Sequence, residues 1–260
     1  MKDFLEFAVS TAIEAGEILM RNYGRILSKD WNQRAHFKTE VDDMSDKLIG
    51  SRIRESFPEH NIWSEEGKHV ERSSDFTWIF DALDGTIPYT FGTTDHFSVS
   101  IGLARGKKPI VGAIYAPRRD ELYTAEEGLG AFCNRQRIRV SLEENLGHSI
   151  IGFDSGKESE GFDRGSFGKY YKRLLSPNGI MCPLCSGAAA VPLCLNASGK
   201  MNGYFALSLE PWDMAAAVVI NREAGAKVTN IEGKEWDIYK HSVLTANPKL
   251  HEKLFGLLKD

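Results

Sequence analysis

Apolar side chains recur at Phe4, Ala8, Ala12, Ala15 and Leu19, a spacing that builds one face of an α-helix. No proline interrupts this segment, so an amphipathic helix of about five turns with a packing role is predicted. A second helical pattern, Met44, Leu48, Ile49, Ile53 and Phe57, runs up to Pro58, which cannot continue it. Asp42 and Asp43 fall at or just before its first turn, where the helix dipole favours carboxylates, and capping alone would account for them. From residue 76 the chain changes to short β-rich runs, FTWIFDA, FSVSIGLAR, PIVGAIYAP, ELYTA and RIRVS, separated by RGKKP, PRRDE and EEGLG as turns. An antiparallel sheet is expected there.

After Gly147 come an apolar SIIGF run, a polar Gly-rich stretch (DSGKESEGFDRGSFGK), a helix-like YYKRLL and the small residues of SGAAAVPLCLNASG. The segment WDMAAAVVINREAG predicts another helix with Gly225 as its C-terminal cap, and KVTN and SVLTA read as strands. The last helix opens at Asn247-Pro248, with Asn as cap and Pro in the first turn. The pattern as a whole predicts an α+β protein, with an α+β half over 1–146 and an α/β half over 147–260.

Composition narrows the function. With 260 residues, 42% of them hydrophobic, the chain can bury a sizeable core. Lys+Arg 32 against Asp+Glu 36 leaves a net charge of −4, which argues against nucleic acid as a main partner. The N-terminal segment lacks the layout of a secretory signal, and no run approaches ~18 apolar residues, so a cytoplasmic protein with no membrane partner is expected. Four cysteines, Cys133, Cys182, Cys185 and Cys194, are too few for a disulfide scaffold. The single CxxC lacks the two further ligands that zinc would need, which favours reduced thiols in a packed segment.

The informative carboxylates stand at the ends of apolar runs: Glu65 and Glu66 after NIWS, Asp81 and Asp84 after WIF, and Asp213 after PW. Acids so placed repel one another and resist desolvation unless a cation joins them, and hard cations such as Mg²⁺ take oxygen ligands. Gly85-Thr86 adds backbone N–H groups and a hydroxyl at a helix start, which suits a phosphate. Taken alone, DxxDGT is equally compatible with a turn and a helix cap.

Read together, IWSEEG, WIFDALDGT, FSVSIGLARGKKPIVGAIYAPRRDELYTAEEGLGAFCN and PWDMAAAVVINREAGA resemble the inositol monophosphatase family of metal-dependent, typically lithium-sensitive phosphatases. The resemblance runs from the first helix to SVLTANP. It implies a layered α-β-α-β-α sandwich, commonly a homodimer, that hydrolyses a small-molecule phosphate ester with Mg²⁺. It assigns Glu65, Asp81 and the Leu83 carbonyl to one metal, and Asp81, Asp84 and Asp213 to a second. Asp42 and Thr86 match the pair that orients the attacking water. Gly85 and Thr86 match the phosphate-binding turn, and Gly187 and Ala188 a turn lining the substrate, where helix-start packing is an equal alternative.

Several positions depart from that resemblance. Ala82 stands where the family usually has a proline that stiffens the metal-binding loop, a change expected to weaken the loop by ~0.4–1 kcal/mol. Ile87-Pro88 replaces a common polar pair, at no cost in helix hydrogen bonds if Pro88 lies in a first turn. GTTDHFSVS is one residue longer than usual, which re-aims Asp95 and His96; a surface histidine is the preferred reading of His96. Ala206 stands where inositol-hydrolysing members carry a glutamate that holds ring hydroxyls, which leaves the substrate open. Glu210 reads as a solvated loop carboxylate, and Lys157, Arg164 and Lys169 as solvated charges or as a place for a second phosphate or a nucleotide.

Overall fold

A computed structural model describes residues 3–25, 29–33, 36–67, 69–155 and 164–259. Helix α1 (Phe4–Asn22) starts where the Asp3 side chain accepts from the Glu6 N–H, and it buries Ala8, Ala12, Ala15 and Leu19 as its pattern predicts. Two short paired strands, β1 (Lys29–Gln33) and β2 (His36–Thr39), lead into α2 (Glu40–Ser56), which ends before Pro58. Thr39 caps α2, so Asp42 lies in its first turn.

Among the described residues two large sheets follow. Strands β3 (Asn61–Ser64), β4 (Phe76–Asp84), β5 (Ser98–Arg105), β6 (Lys108–Ala116), β7 (Glu121–Glu126), β8 (Gly130–Cys133) and β9 (Gln136–Arg137) form a seven-stranded sheet in chain order. It is antiparallel except where β3 pairs parallel with β4. A short helix α3 (Thr86–Phe91) sits between β4 and β5. The RIRVS run, expected as a strand, contributes only its first residue to the sheet. It then turns away, and Val140 N–H donates to the Ala224 carbonyl (3.1 Å), which helix ends leave without an intrahelical partner.

The second sheet, of five strands, is ordered β11-β10-β12-β14-β13. Its strands are β10 (Ile150–Asp154), β11 (Cys182–Leu184), β12 (Gly203–Ala206), β13 (Lys227–Thr229) and β14 (Val243–Ala246). The helices of this half are α4 (Phe167–Leu174), α5 (Ala190–Ala197), α6 (Pro211–Glu223) and α7 (Pro248–Leu258). Cys182 and Cys185 are exposed rather than packed, and all four cysteines are free thiols. Their separation along an extended strand, roughly 10 Å, is too long for a disulfide.

Period-two alternation assigns the layers. Trp78 and Phe80 face α1 and α2, whereas Ile79 between them faces the core shared with α5 and α6. Tyr204 and Ala206 face that same central core, whereas Phe205 faces the outer cluster with Phe167 of α4 and Leu250 and Leu254 of α7. The result is an α-β-α-β-α sandwich: α1 and α2, the seven-stranded sheet, α5 and α6, the five-stranded sheet, α4 and α7. Helix α6 lies close on β5 and β6 because Gly102 and Gly112 carry no side chain. A Cβ at Gly112 would stand 2.3 Å from the Ala216 carbonyl oxygen, and one at Gly102 would stand 3.0 Å from the Ala216 nitrogen.

Candidate metal and phosphate site

Asp81 and Asp84 are three apart on one strand, so regular pleating would send them to opposite faces. The β4–β5 pairing is irregular here: Asp81 opposes Ser100 and Asp84 opposes Ser98, leaving one extra residue on β4. That bulge lets both carboxylates face the central layer. Ligand atoms of Glu65 (just past β3), Asp81 (β4) and Asp213 (α6) lie within 4.8 Å of one another. Among the described residues this is the group of acids with the geometry to hold a metal ion, and the match in donor type and burial is to a hard cation. The Leu83 N–H donates to Asp81 Oδ1 (2.9 Å) and the Glu210 N–H to Asp213 Oδ2 (2.8 Å), which fixes both carboxylates. Glu210 itself, expected as a loop residue, precedes the first residue of α6 and pairs with His241 at 3.3 Å.

Asp84 stands outside that group of three. Its two oxygens accept from the Ala189 and Ala190 N–H groups at the start of α5, each at 3.0 Å. Burial pushes its pKa up to about 7 against those hydrogen bonds, with the charges of Glu65 and Asp154 adding to the rise. Each oxygen keeps a lone pair, so these bonds leave it able to take a further ligand. Ala82, in place of a stiffening proline, has its carbonyl held by the Ser45 hydroxyl at 3.0 Å, a tertiary restraint on the same loop.

The turn after Asp84 brings several predicted residues together. Gly85 has φ +85°, and a Cβ there would meet the His96 carbonyl oxygen at 2.4 Å and the Ala188 Cβ at 3.1 Å. Gly187, also at positive φ, lies against Ile87 and Pro88. The turns at Gly85-Thr86 and Gly187-Ala188, expected to bind phosphate and to line the substrate, are therefore in contact. The Thr86 hydroxyl lies 3.3 Å from both Asp42 Oδ1 and the Leu83 carbonyl oxygen, either of which can accept its proton. Asp42 Oδ2 is taken by the Thr39 N–H (2.8 Å) and hydroxyl (2.6 Å). Burial raises Asp42 to about 6 despite those two bonds, and the charge of Glu65 adds to the rise.

Three features were not legible in the sequence. Lys38 pairs with Asp43 at 3.0 Å and Glu66 at 3.3 Å, supplying positive charge at the edge of the acids, although nothing marked it beyond its place before α2. Burial and the charges of Glu65 and Asp42 still raise Glu66 to about 7, against its bond to Lys38. His96, expected at the surface, is largely enclosed, and burial lowers its pKa. Its neighbour Asp95 is instead held through both oxygens by Arg119, each at 3.0 Å. Ala206 is completely buried in the central core. Lys157 lies outside the described residues, and the Arg164 guanidinium donates to Ser155 Oγ at 3.0 Å.

Known proteins are similar to this chain in sequence and in fold. The chain matches the pattern of the Inositol monophosphatase family over residues 1–260. It is 34% identical over 263 residues to a fructose-1,6-bisphosphatase/inositol-1-monophosphatase of Aquifex aeolicus, covering 100% of this chain and 96% of that protein. It is also 34% identical over 258 residues to the Nus factor SuhB of Vibrio cholerae, covering 96% and 93%. Among solved structures, the extragenic suppressor protein SuhB of Bartonella henselae superposes with a TM-score of 0.90 at 31% identity, covering 98% of each chain. An inositol monophosphatase of Thermotoga maritima superposes at 0.86 and 29% identity, covering 98% of this chain and 96% of that one. By sequence over its whole length and by fold, this chain belongs to the inositol monophosphatase family.

Proposed function

We propose that the protein is a Mg²⁺-dependent phosphomonoesterase that hydrolyses a small-molecule phosphate with water as the nucleophile. The observation that carries this reading is the convergence of Glu65, Asp81 and Asp213 from three separate parts of the chain. Gathering three anions works against folding, whereas a hard divalent cation takes such oxygens as ligands. In this reading Glu65, Asp81 and the Leu83 carbonyl would hold one cation, and Asp81, Asp84 and Asp213 would hold a second. When bound, the cations supply the positive charge that polarises the phosphate and lowers the pKa of water.

The chain's own groups do the rest. With the Thr86 hydroxyl donating to Asp42 Oδ1, its lone pairs are free to accept from the attacking water and so orient it. Asp42 Oδ1 takes up the water's proton by way of the Thr86 hydroxyl that donates to it, since Oδ2 is committed to Thr39. The N–H groups of Gly85 and Thr86 bind phosphate oxygens, and Gly187 and Ala188 line the leaving group. Water oxygen bonds to phosphorus as the ester P–O bond breaks; the departing alkoxide takes up a proton from solvent, to which Asp42 gives up the one it received. The reading includes a cytoplasmic homodimer, lithium inhibition, and no principal nucleic-acid or membrane partner. Among the described residues no helix is long and apolar enough to cross a membrane.

A second reading has its own support: the Vibrio cholerae relative is named Nus factor SuhB, which fits a non-catalytic regulatory or binding protein on the same fold. Phosphate release separates the two. The panel is inositol 1-phosphate, fructose 1,6-bisphosphate, histidinol phosphate and 3′-phosphoadenosine 5′-phosphate, each in Mg²⁺ and in chelator. Release that depends on Mg²⁺ is expected; silence across the panel in every metal tried overturns the enzyme.

A further inference from the structure

One side of the Gly85 turn is walled by the loop 92–97, which joins α3 to β5. A Cβ on Gly85 would stand 2.4 Å from the His96 carbonyl oxygen, so that carbonyl lies directly against the glycine. Both flanks of His96 are held. On one flank Phe97 is fully buried, edge-on to Tyr89 with ring centroids 5.0 Å apart and stacked on Tyr23 at 5.2 Å. On the other, the partly exposed Asp95 is gripped by Arg119 Nη1, which donates to both its oxygens at 3.0 Å.

Arg119 belongs to the turn between β6 and β7, and it is itself anchored. Its Nε donates to Glu121 Oε2 at 2.8 Å. Glu121 also accepts from the Tyr123 hydroxyl (2.8 Å) and from Nζ of Lys200 (2.6 Å), beyond the end of α5. Burial works to raise the Glu121 carboxyl, but the bonds from Arg119, Lys200 and Tyr123 bring it down to about 2, so the anchor stays ionised. A guanidinium is a planar fork of fixed donors, and here it bridges two carboxylates in one geometry. A partly exposed ion pair contributes little to stability by itself. What this one fixes is position. If the loop is loose at Asp95, the His96 carbonyl can move off Gly85, and the N–H groups of Gly85 and Thr86 lose the fixed direction that holding a phosphate requires.

We propose that Arg119 is a positioning residue for the phosphate-binding turn: by gripping Asp95 it keeps the His96 carbonyl against Gly85. The assignment rests on the phosphatase reading of the site. With its guanidinium committed to Asp95 and Glu121, Arg119 acts through the loop rather than on the phosphate. The phosphoryl group is common to every substrate, so the effect falls on phosphate affinity and not on the choice of leaving group.

The experiment compares the full-length wild type with Arg119→Met, Arg119→Lys, Asp95→Ala and the Arg119→Met/Asp95→Ala double variant, all in Mg²⁺. KM is measured for each ester of the panel above that the wild type hydrolyses, together with the inhibition constant of inorganic phosphate and the melting temperature. Arg119→Met and Asp95→Ala should each raise every KM and the phosphate inhibition constant by a similar factor, about 10-fold. The double variant should do no worse than the weaker single, because both cut the same contact. Arg119→Lys keeps the charge without the fork and should fall between Arg119→Met and wild type. A packing role alone would lower the melting temperature and leave the phosphate inhibition constant where it was. Asp95→Ala leaves the Arg119–Glu121 anchor in place, so it carries the test if Arg119→Met unfolds. Losses that multiply in the double variant, or that differ from ester to ester, overturn the assignment. A wild type that releases phosphate from none of the panel sinks the phosphatase reading and this inference with it. An active wild type whose phosphate inhibition constant is indifferent to Asp95→Ala sinks this inference alone.

Discussion

Asp42 and Asp84 are both driven toward neutrality by burial and both pulled back by hydrogen bonds, yet they meet different partners. Asp42 is braced by its own helix cap, whereas Asp84 is braced by the backbone of a helix more than a hundred residues away in the chain. Asp213→Asn removes one of three converging charges while keeping the side chain's volume. Phosphate release should fall on the order of 100-fold or more with the melting temperature unchanged or raised; near-normal turnover would remove Asp213 from the metal site. Ala206→Glu tests selectivity and cost together. Ala206 is completely buried beside Asp154, so a glutamate there should lower the melting temperature while raising activity toward inositol 1-phosphate relative to other esters. An unchanged ranking would show that position 206 does not control selectivity.

Elements place these residues through two local irregularities. The extra residue in β4 turns Asp81 and Asp84 to one side, and glycines in β5 and β6 let α6 settle close enough to deliver Asp213. Gly112→Ala would force the Ala216 backbone away, since an added Cβ stands only 2.3 Å from its carbonyl oxygen. We expect a stability loss of about 1–3 kcal/mol together with reduced phosphate release, because the helix that moves carries Asp213, a metal ligand in the proposed reading. Loss of stability without loss of activity would separate α6 packing from the site. Helices α1, α2, α6 and α7 were legible from spacing and caps. Strands β3, β8 and β12 were not read as strands, because the pairing that defines each comes from its neighbours rather than from its own few residues.

The whole molecule is held by three apolar layers separated by two sheets, and the last helix closes the outer one. His251 of α7 is buried there, with Nε2 2.9 Å from Thr229 Oγ1. Burial, with the charge of Lys227 adding to it, lowers its pKa from 6.5 to about 4. As pH falls below 6.5 the unfolded chain therefore takes up this proton before the folded one does. The contribution to stability is complete above that pH and is lost on the way down to about 4. Its size is at most about 3 kcal/mol. The melting temperature of the wild type should fall between pH 7 and pH 4.5 by several degrees more than that of His251→Gln. Equal falls would show that this histidine does not report on the outer layer.

The sequence by itself determined the family, the α+β class and the identity of the acids, because motif order, helical spacing and turn residues are written locally. What tertiary structure decided was how those acids are arranged. It set which three converge, which one binds the start of α5, and that Ser45 holds the loop where a proline is absent. It also brought Lys38 to the edge of the acids and enclosed His96. Each of those depends on segments distant in the chain meeting at close range, and neither spacing nor composition encodes such a distance.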